Sequence, residues 1–473
     1  MKKFEPTNPN QETHRFYLEP LGCAKNQVDG EIMISRLTDQ GWVYSSTPED
    51  CDLILVNTCG FIQPAKEESL QVSFEFLRDY PDTPVVMTGC LAQRYGQTLI
   101  DDIPELAGVF GNHGVEQITT FLDSYLPQGK RLYLPEAQYG GAGEQDNQQN
   151  HAATPSRRRT KLLGYPGSAF LKIAEGCQHR CAFCAIPLIR GSLRSLSIPQ
   201  VLQDFRDLRN QGVKEINLIA QDLASFGLDR KKTKGTRGPE SSEFLQLLQT
   251  LLAEPGDFWL RPLYLYPETF PIEILQLCKQ DPRLLPYFDI PLQHADREIL
   301  KAMGRPGSRD SALKLIQTIR QNLPECMIRT SLIAGFPGET REHTAFLGEF
   351  LTETRIDWVG IFPYSLEEDT RAYDLPKRVP PKEALKRKAA LEEIQQPLTF
   401  SRLDRFIGTA QRVLVEEVVP GEPLYAMGRT WFQAPEVDGL TVIPAPPQTV
   451  KPGDWIEVIL ESRSGVDMTA RPV

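Results

Sequence analysis

The middle of the chain, from about residue 168 to 397, repeats a strand-like segment followed by a helical pattern six times. Strands that alternate with helices favour a parallel sheet with helices packed outside it. A complete barrel of this kind has eight units, so six units predict a three-quarter barrel, (β/α)6, with its site at the carboxyl ends of the strands. The predicted strands are Ala169–Ile173, Glu215–Ala220, Leu260–Leu265, Phe288–Pro291, Ile328–Ala334 and Trp358–Phe362.

Three cysteines follow the first of these strands with the spacing C-x-x-x-C-x-x-C: Cys177, Cys181 and Cys184. Closely spaced soft thiolates suit an iron–sulfur cluster or zinc. Zinc knuckles usually combine paired C-x-x-C units with a fourth ligand nearby, and no fourth cysteine follows here. Three cysteines on a four-iron cluster leave one iron free to bind a small molecule, which predicts a catalytic cluster. A zinc site, or cysteines that only pack in the core, are the alternatives.

The first part of the chain, residues 13–130, also alternates strand-like and helical segments, which predicts an open parallel α/β sheet. The strands are expected at Arg15–Glu19, Asp52–Asn57 and Pro84–Thr88, and a cysteine follows each one: Cys23, Cys59 and Cys90. Open α/β sheets place their sites beyond the carboxyl ends of the strands, so these three thiols are expected to converge. The alternative is that they are buried packing residues, which is what we expect of Cys51, Cys278 and Cys326.

Two segments have loop composition. Residues 131–167 are predicted to be a flexible linker, because most of this stretch is rich in Gly, Gln and Asn and has no apolar period. The run Arg157–Arg159 within it is interpreted as a solvated stretch. A basic insertion, Arg230–Gly235, is predicted to be a surface loop.

The last part, residues 398–473, contains short strand-like runs separated by Pro and Gly turns, which predicts a small antiparallel β-barrel. The runs are Gln411–Val419, Thr441–Ile443 and Trp455–Leu460. From Arg402 onward this part has 7 Lys/Arg and 10 Asp/Glu, a net charge of −3. An acidic barrel suits a cationic partner better than RNA, and Glu436 and Asp438 are expected to face that partner from a surface loop at Gln433–Gly439.

The net charge of the whole chain also predicts a cationic partner. The net charge is −10 and the pI about 5.4, which disfavours binding of nucleic acid by bulk electrostatics and suits a basic protein partner. The first residues lack the apolar run of a secretory signal, and no stretch reaches the ~20 apolar residues of a membrane span. We therefore expect a cytoplasmic protein.

The chain resembles the radical S-adenosylmethionine methylthiotransferases from about residue 14 to 473. The resemblance rests on Leu-Gly-Cys-Ala-Lys-Asn-Gln-Val-Asp at 21–29, Asn-Thr-Cys-Gly-Phe-Ile at 57–62, Thr-Gly-Cys-Leu-Ala-Gln-Arg-Tyr at 88–95, the Cys177 motif and Gly-Phe-Pro-Gly-Glu-Thr at 335–340. Within the family it is similar to the RimO type, whose members modify a ribosomal protein. That similarity rests on Tyr-Leu-Tyr-Pro at 264–267, Asp-Ile-Pro-Leu-Gln-His at 289–294 and Ala-Pro-Glu-Val-Asp-Gly at 434–439. The third part resembles the family's TRAM domain.

The resemblance implies two 4Fe–4S clusters with one open iron each. Cys177, Cys181 and Cys184 would hold the cluster that binds S-adenosylmethionine and cleaves it to a 5′-deoxyadenosyl radical. Cys23, Cys59 and Cys90 would hold the second cluster, whose open iron carries a sulfide that a first S-adenosylmethionine methylates. No side chain is expected to act as a general acid or base.

The resemblance also implies contacts to S-adenosylmethionine. Phe183 would lie against the adenine, and Gln221, Gln293 and Arg329 would hold the ribose and the methionyl carboxylate. Gly335 and Gly338 would allow the backbone to approach the ligand closely.

Three functions remain open from the sequence. The first is methylthiolation of the β-carbon of an aspartate in small-subunit ribosomal protein S-twelve, with an electron donor such as flavodoxin or ferredoxin. The second is the same chemistry on a tRNA adenosine, as in MiaB-type enzymes, which the acidic third part disfavours. The third is a non-catalytic iron–sulfur carrier, which would need no ligand pocket.

Overall fold

The computed structural model describes residues 14–135, 157–230, 242–447 and 449–473. Residues 136–156 of the predicted linker and 231–235 of the predicted basic insertion lie outside the described residues. The described residues form three domains that correspond to the three parts of the sequence.

The N-terminal domain is a six-stranded parallel sheet in the order β2-β1-β3-β4-β5-β6. The three predicted strands are confirmed as its centre, and one further strand on one side and two on the other extend it. Its strands are β1 Arg15–Pro20, β2 Val43–Ser45, β3 Leu53–Thr58, β4 Val85–Thr88, β5 Gly108–Gly111 and β6 Leu132–Tyr133. Its helices are α1 Ala24–Asp39, α2 Gln63–Asp79, α3 Gly89–Asp102 and the single turn α4 Ile118–Thr120.

The central domain contains the six predicted barrel strands, each within three residues of its predicted bounds. Its strands are β7 Ser168–Lys172, β8 Ala174–Glu175, β9 Arg194–Ser195, β10 Glu215–Ile219, β11 Trp259–Pro262, β12 Tyr287–Asp289, β13 Met327–Ala334 and β14 Trp358–Pro363. Its helices are α5 Ile186–Arg190, α6 Ile198–Asn210, α7 Phe244–Leu252, α8 Ile274–Gln280, α9 Arg297–Ala302, α10 Arg309–Asn322, α11 Arg341–Thr354 and α12 Pro381–Asp404.

The six long strands form two parallel three-stranded sheets, β7-β10-β11 and β12-β13-β14. Leu260 joins them, because its N–H donates to Arg283 O at 2.7 Å and its carbonyl accepts from Leu285 N at 3.0 Å. The result is the predicted (β/α)6 arrangement with β7 and β14 at its outer edges. All six strands run in the same direction, so their carboxyl ends form one rim.

The C-terminal domain is a closed five-stranded barrel in the order β15-β16-β17-β19-β18. Its strands are β15 Ala410–Val419, β16 Tyr425–Arg429, β17 Thr441–Pro444, β18 Trp455–Ser464 and β19 Asp467–Pro472. The barrel closes through one parallel pair, β17 with β19, so it is not purely antiparallel as predicted. Helix α12 runs through the predicted domain boundary at 397/398.

Buried ion pairs join the domains. Glu215 on β10 accepts from Arg261 at 2.7 Å and from Arg429 of the C-terminal barrel at 2.5 Å. Arg159 pairs with Glu31 on α1 at 2.7 Å and is only 5% exposed, so the interpretation of the arginine run as solvated is wrong for this residue. Glu31 is buried against the barrel, and Arg159 supplies the counter-charge that a buried carboxylate requires.

Candidate active site

The first cysteine triad lies at one edge of the N-terminal sheet. The strands that precede Cys23, Cys59 and Cys90 are β1, β3 and β4, which are parallel neighbours, so their carboxyl ends meet. Cys23 is the N-cap of α1 and is exposed, whereas Cys59 and Cys90 are buried. Burial, and then the neighbouring thiols of Cys90 and Cys23, raise the pKa of Cys59 to about 12. The predicted convergence of the three loops is confirmed.

Asn26, in the first turn of α1, holds these loops together. Its Nδ2 donates to Leu21 O at 3.1 Å and to Thr58 O at 2.8 Å, in the loops that carry Cys23 and Cys59. Its Oδ1 lies 3.2 Å from the Sγ of Cys90. One buried side chain therefore contacts all three loops, a role that the sequence analysis did not assign although Asn26 belongs to the quoted motif.

The second triad lies in the loop that follows β8, at the rim of the central barrel. Cys177, Cys181 and Cys184 are all half-buried, and burial raises the pKa of Cys177 to about 11 and that of Cys184 to about 12. The loop is tied to the barrel in its middle, where Ala182 N donates to Met303 O at 2.7 Å. The three thiols are thus presented on one ordered loop.

A polar and aromatic group supports this loop from the rim. His179 Nε2 lies 2.8 Å from Asp222 Oδ2, and its ring stacks on that of Tyr266 with centroids 3.8 Å apart. The guanidinium of Arg305 also contacts the Tyr266 ring, with its Cζ 4.2 Å from the ring centroid, and its Nη1 lies 3.9 Å from the Sγ of Cys181. His179, which lies between two of the cysteines, therefore positions the loop, and sequence reasoning missed this.

The donor sets suit clusters better than a single ion. Across the described ranges, no three His, Cys, Asp or Glu side chains are close enough together to share one metal ion. A 4Fe–4S cluster does not require this, because each thiolate binds a different iron. Both triads consist of cysteine thiols alone, which bind the irons of such clusters as thiolates.

Arg190 links the helix that follows the barrel triad to the N-terminal triad. It ends α5, the short helix that begins two residues after Cys184, and its side chain is 1% exposed. Its Nη2 donates to Asn26 Oδ1 at 2.6 Å and to the Sγ of Cys90 at 3.3 Å. Ile189, beside it, packs on Cys90 in a small apolar cluster. The helix that follows the barrel triad therefore contacts a member of the other triad.

Four buried charges surround this contact. Arg190 Nη1 pairs with Asp29 at 3.0 Å and with Glu175 at 2.8 Å. Lys172 pairs with the same two carboxylates, at 2.5 Å to Glu175. Two cations thus balance two anions contributed by different domains, as a buried charge network requires.

Phe183, Gln221 and Gln293 lie at the carboxyl-end rim of the barrel, whereas Arg329 is the third residue of β13 and lies toward the amino end of that strand. Phe183 packs in an apolar cluster with Phe336 and Tyr364. Gln221 follows the end of β10 by two residues, and Gln293 follows the end of β12 by four. Their roles as ligand contacts stay predictions.

The two glycines differ in what surrounds them. A Cβ at Gly335 would lie 2.4 Å from the Cβ of Ala384, so the close approach at Gly335 is to helix α12, and this packing accounts for the glycine without a ligand. At Gly338, whose φ is +90°, a Cβ would meet no described protein atom within 4 Å. Gly338 is therefore the better candidate for close approach to a ligand.

Arg329 has a protein partner. Its Nη1 lies 2.7 Å from Asp438 Oδ1 of the C-terminal domain, whose other oxygen accepts from the hydroxyl of Tyr287 at 2.7 Å. The expectation that Asp438 faces a partner from a surface loop is wrong, because its side chain is fully buried in this contact. Glu436, in the same loop, is exposed as expected.

A groove of about 310 Å³ lies elsewhere, lined by α10 residues such as Leu313 and Arg320 and by α11 residues, and both triads are remote from it. Among the described helices, none has the length and apolarity to cross a membrane.

A (β/α)6 barrel with three cysteines in the loop after its first strand defines the class of radical S-adenosylmethionine enzymes. Family models agree with this division of the chain. Residues 15–111 match Uncharacterized protein family UPF0004, residues 171–351 match the Radical SAM superfamily, and residues 407–473 match the TRAM domain.

Similar proteins identify the family within this class. The ribosomal protein uS12 methylthiotransferase RimO of Treponema denticola is 38% identical in an alignment that covers 95% of this chain and 98% of the relative. That of Natranaerobius thermophilus is 39% identical over 93% of this chain and 94% of the relative. The chain belongs to the RimO family of radical S-adenosylmethionine methylthiotransferases.

A solved structure shows the same fold. The radical S-adenosylmethionine methyltransferase TsrM of Kitasatospora setae matches with a TM-score of 0.56 over 77% of this chain and 74% of its own. The sequence identity is 14%, so the likeness concerns the fold alone.

Proposed function

We propose that this chain transfers a methylthio group to the β-carbon of an aspartate in ribosomal protein uS12. The observation that carries the proposal is that Arg190, at the end of the helix α5 that follows the barrel triad, donates to Cys90 of the N-terminal triad. A reaction that joins sulfur to a carbon radical requires the sulfur site and the radical site side by side.

The chain's own residues have distinct tasks in this proposal. Cys177, Cys181 and Cys184 would hold one 4Fe–4S cluster, and Cys23, Cys59 and Cys90 the other. S-adenosylmethionine would lie at the rim, near Phe183, Gln221, Gln293 and Gly338. When bound, these groups and a sulfide supply the methyl, radical and sulfur chemistry, while the protein orients them and excludes water. Arg329 is engaged with Asp438, so we give it a positioning role.

The substrate assignment is supported by charge as well as by the relatives. The chain has a net charge of −10, and the segment from Arg402 has a net charge of −3, which suits a cationic ribosomal protein and disfavours tRNA. We place the reaction in the cytoplasm, where ribosomal proteins are made, with an electron donor such as flavodoxin or ferredoxin.

Mass spectrometry of cells that lack the chain tests this directly. We expect tryptic peptides of uS12 to lose the mass of one methylthio group on an aspartate and tRNA nucleosides to stay unchanged. Wild-type chain should restore the modification, and a C177A/C181A/C184A variant should not. Loss of a methylthioadenosine from tRNA with unaltered uS12 would instead establish the tRNA enzyme.

A further inference from the structure

Lys25 is a buried lysine with no carboxylate of the described residues at close range, and burial lowers the pKa of its ammonium group. It lies in the first turn of α1, two residues after Cys23, and is 6% exposed. Its Nζ lies 3.9 Å from the centroid of the Tyr264 ring. Within the described ranges, no carboxylate oxygen lies within 4.0 Å of this Nζ. Lys172, Arg190 and Arg329, the other buried cations nearby, each have such a partner.

The surroundings of Lys25 come from all three domains. Burial, and then the charges of Asp289, Cys23 and Glu436, raise the pKa of Tyr264, whereas Arg329 opposes the shift. Glu175 and Asp289 are the carboxylates whose charges act on Lys25, and Asp289 lies at the end of β12. Its Oδ2 lies 3.9 Å from Nε of Arg329, and its buried Oδ1 has no hydrogen-bond partner. The N-terminal domain, the barrel and the C-terminal loop thus meet around Lys25.

A buried ammonium group without a close anion is costly, and the cost falls when an anion binds to it. Tyr264 holds the ammonium by a cation–π contact, which leaves the donors of Lys25 available. The adjacent Cys23 is the exposed member of its triad, so a ligand on Lys25 lies beside the accessible side of that triad.

We infer that Lys25 binds the side-chain carboxylate of the aspartate that is modified. This inference rests on the proposed function. In aspartate the β-carbon is bonded directly to the carboxylate carbon, so an anion held by Lys25 brings that carbon next to the Cys23 triad. A neutral substrate such as an adenine base gains nothing from this cation, so Lys25 also contributes to the choice of substrate.

A double-mutant cycle between enzyme and substrate tests the inference. The reconstituted holoenzyme is titrated with uS12, or with uS12 in which the modified aspartate is replaced by asparagine, and the dissociation constants are compared. The enzymes are wild type, K25M, K25R and the control K386M, which removes an exposed lysine from α12. Iron content and formation of 5′-deoxyadenosine are measured for each.

With wild-type enzyme and with K386M, the asparagine substrate should bind on the order of tenfold more weakly or worse, because a charge-assisted contact is lost. K25M should bind the two substrates equally, and K25R should restore part of the preference. If K25M weakens the binding of the aspartate and asparagine substrates by the same factor, the effects of the two substitutions are additive. That result would overturn the inference and would mean that Lys25 supports the Cys23 triad and not the substrate. If wild-type enzyme neither binds nor modifies uS12, the proposed function fails as well, so the two failures are distinguishable.

Discussion

Arg190 donates a hydrogen bond to the thiol sulfur of Cys90, with Nη2 3.3 Å from Sγ, across the boundary between the barrel and the N-terminal domain. Arg190 follows Cys184 by six residues, so a side chain from the helix after one triad touches a member of the other. A single arginine therefore relates the positions of the two proposed cluster sites.

Replacing Arg190 with methionine should uncouple the two sites. The variant leaves Asp29 and Glu175 with Lys172 as their only counter-charge, and loss of one partner from a buried pair costs roughly 3–5 kcal/mol. Hydrogen bonds to cluster sulfurs also tune the reduction potential, so the potential of the N-terminal cluster should fall.

Urea denaturation measures the loss of stability. A redox titration followed by electron paramagnetic resonance, in a C177A/C181A/C184A background, measures the change in potential. The exposed control R206M should change neither, and an unchanged potential in R190M would refute the proposed contact with the cluster.

Iron content tests the assignment of the ligands. Anaerobically reconstituted protein should hold about eight irons in two four-iron clusters. The C177A/C181A/C184A variant should lose about half of this iron and keep the other cluster, because the two triads lie in separate domains. The packing cysteine Cys326 offers a matched control, since C326A should keep all the iron. A triple variant with full iron content would show that the ligands are elsewhere.

Loss of the N-terminal triad should abolish sulfur transfer and leave the cleavage of S-adenosylmethionine intact. A C23A/C59A/C90A variant should still cleave S-adenosylmethionine reductively to 5′-deoxyadenosine, because the barrel triad and its rim are intact. It should not methylthiolate uS12. Chromatography of the nucleoside product and mass spectrometry of uS12 measure both in the same reaction. Methylthiolation by this variant is incompatible with sulfur delivery from the N-terminal domain.

The exposed loop acid Glu436 should contribute to binding of a cationic partner. E436K reverses its charge without touching the ion pair between Arg329 and Asp438, so we expect weaker binding of uS12 at low salt. The difference from wild type should shrink as salt screens charges beyond ~10 Å at 0.1 M. E422K, on another exposed loop of the same barrel, is the matched control. Equal binding by E436K and wild type would exclude this loop from the interface.

Asp289 should make the stability of the fold depend on pH. Burial raises the pKa of Asp289 to about 6, although Arg329 opposes the shift. A raised carboxyl pKa means that the folded protein favours the neutral acid. The stabilising contribution of protonated Asp289 is therefore complete below the unfolded pKa of about 3.9 and is lost as the pH rises through about 6. The free energy of unfolding of D289N, minus that of wild type, should increase by about 2–3 kcal/mol between pH 4 and pH 7. Urea denaturation across this range measures the difference, and a constant value would contradict the shift.

Local patterns predicted most of the secondary structure that carries the site. The barrel strands and the three central strands of the N-terminal sheet were all found within three residues of their predicted bounds. Most of the missed strands are short or contain glycine, such as Gly108–Gly111 and Tyr425–Arg429, and the six-residue strand Asp467–Pro472 was missed as well. Their place in a sheet comes from neighbouring strands, because their own propensity for extended structure is weak.

The sequence by itself determined the three-part organisation, the barrel and the two cysteine triads, because periodicity and spacing are local properties of the chain. Only the tertiary structure decided which charges meet. Arg190 and Asp29 are 161 residues apart, and Arg329 and Asp438 are 109 apart. Nothing local to Arg159, Arg329 or Asp438 distinguishes a buried ion pair from a solvated charge or a ligand contact. The same is true of Lys25, because the absence of a close anion depends on how three domains pack around it.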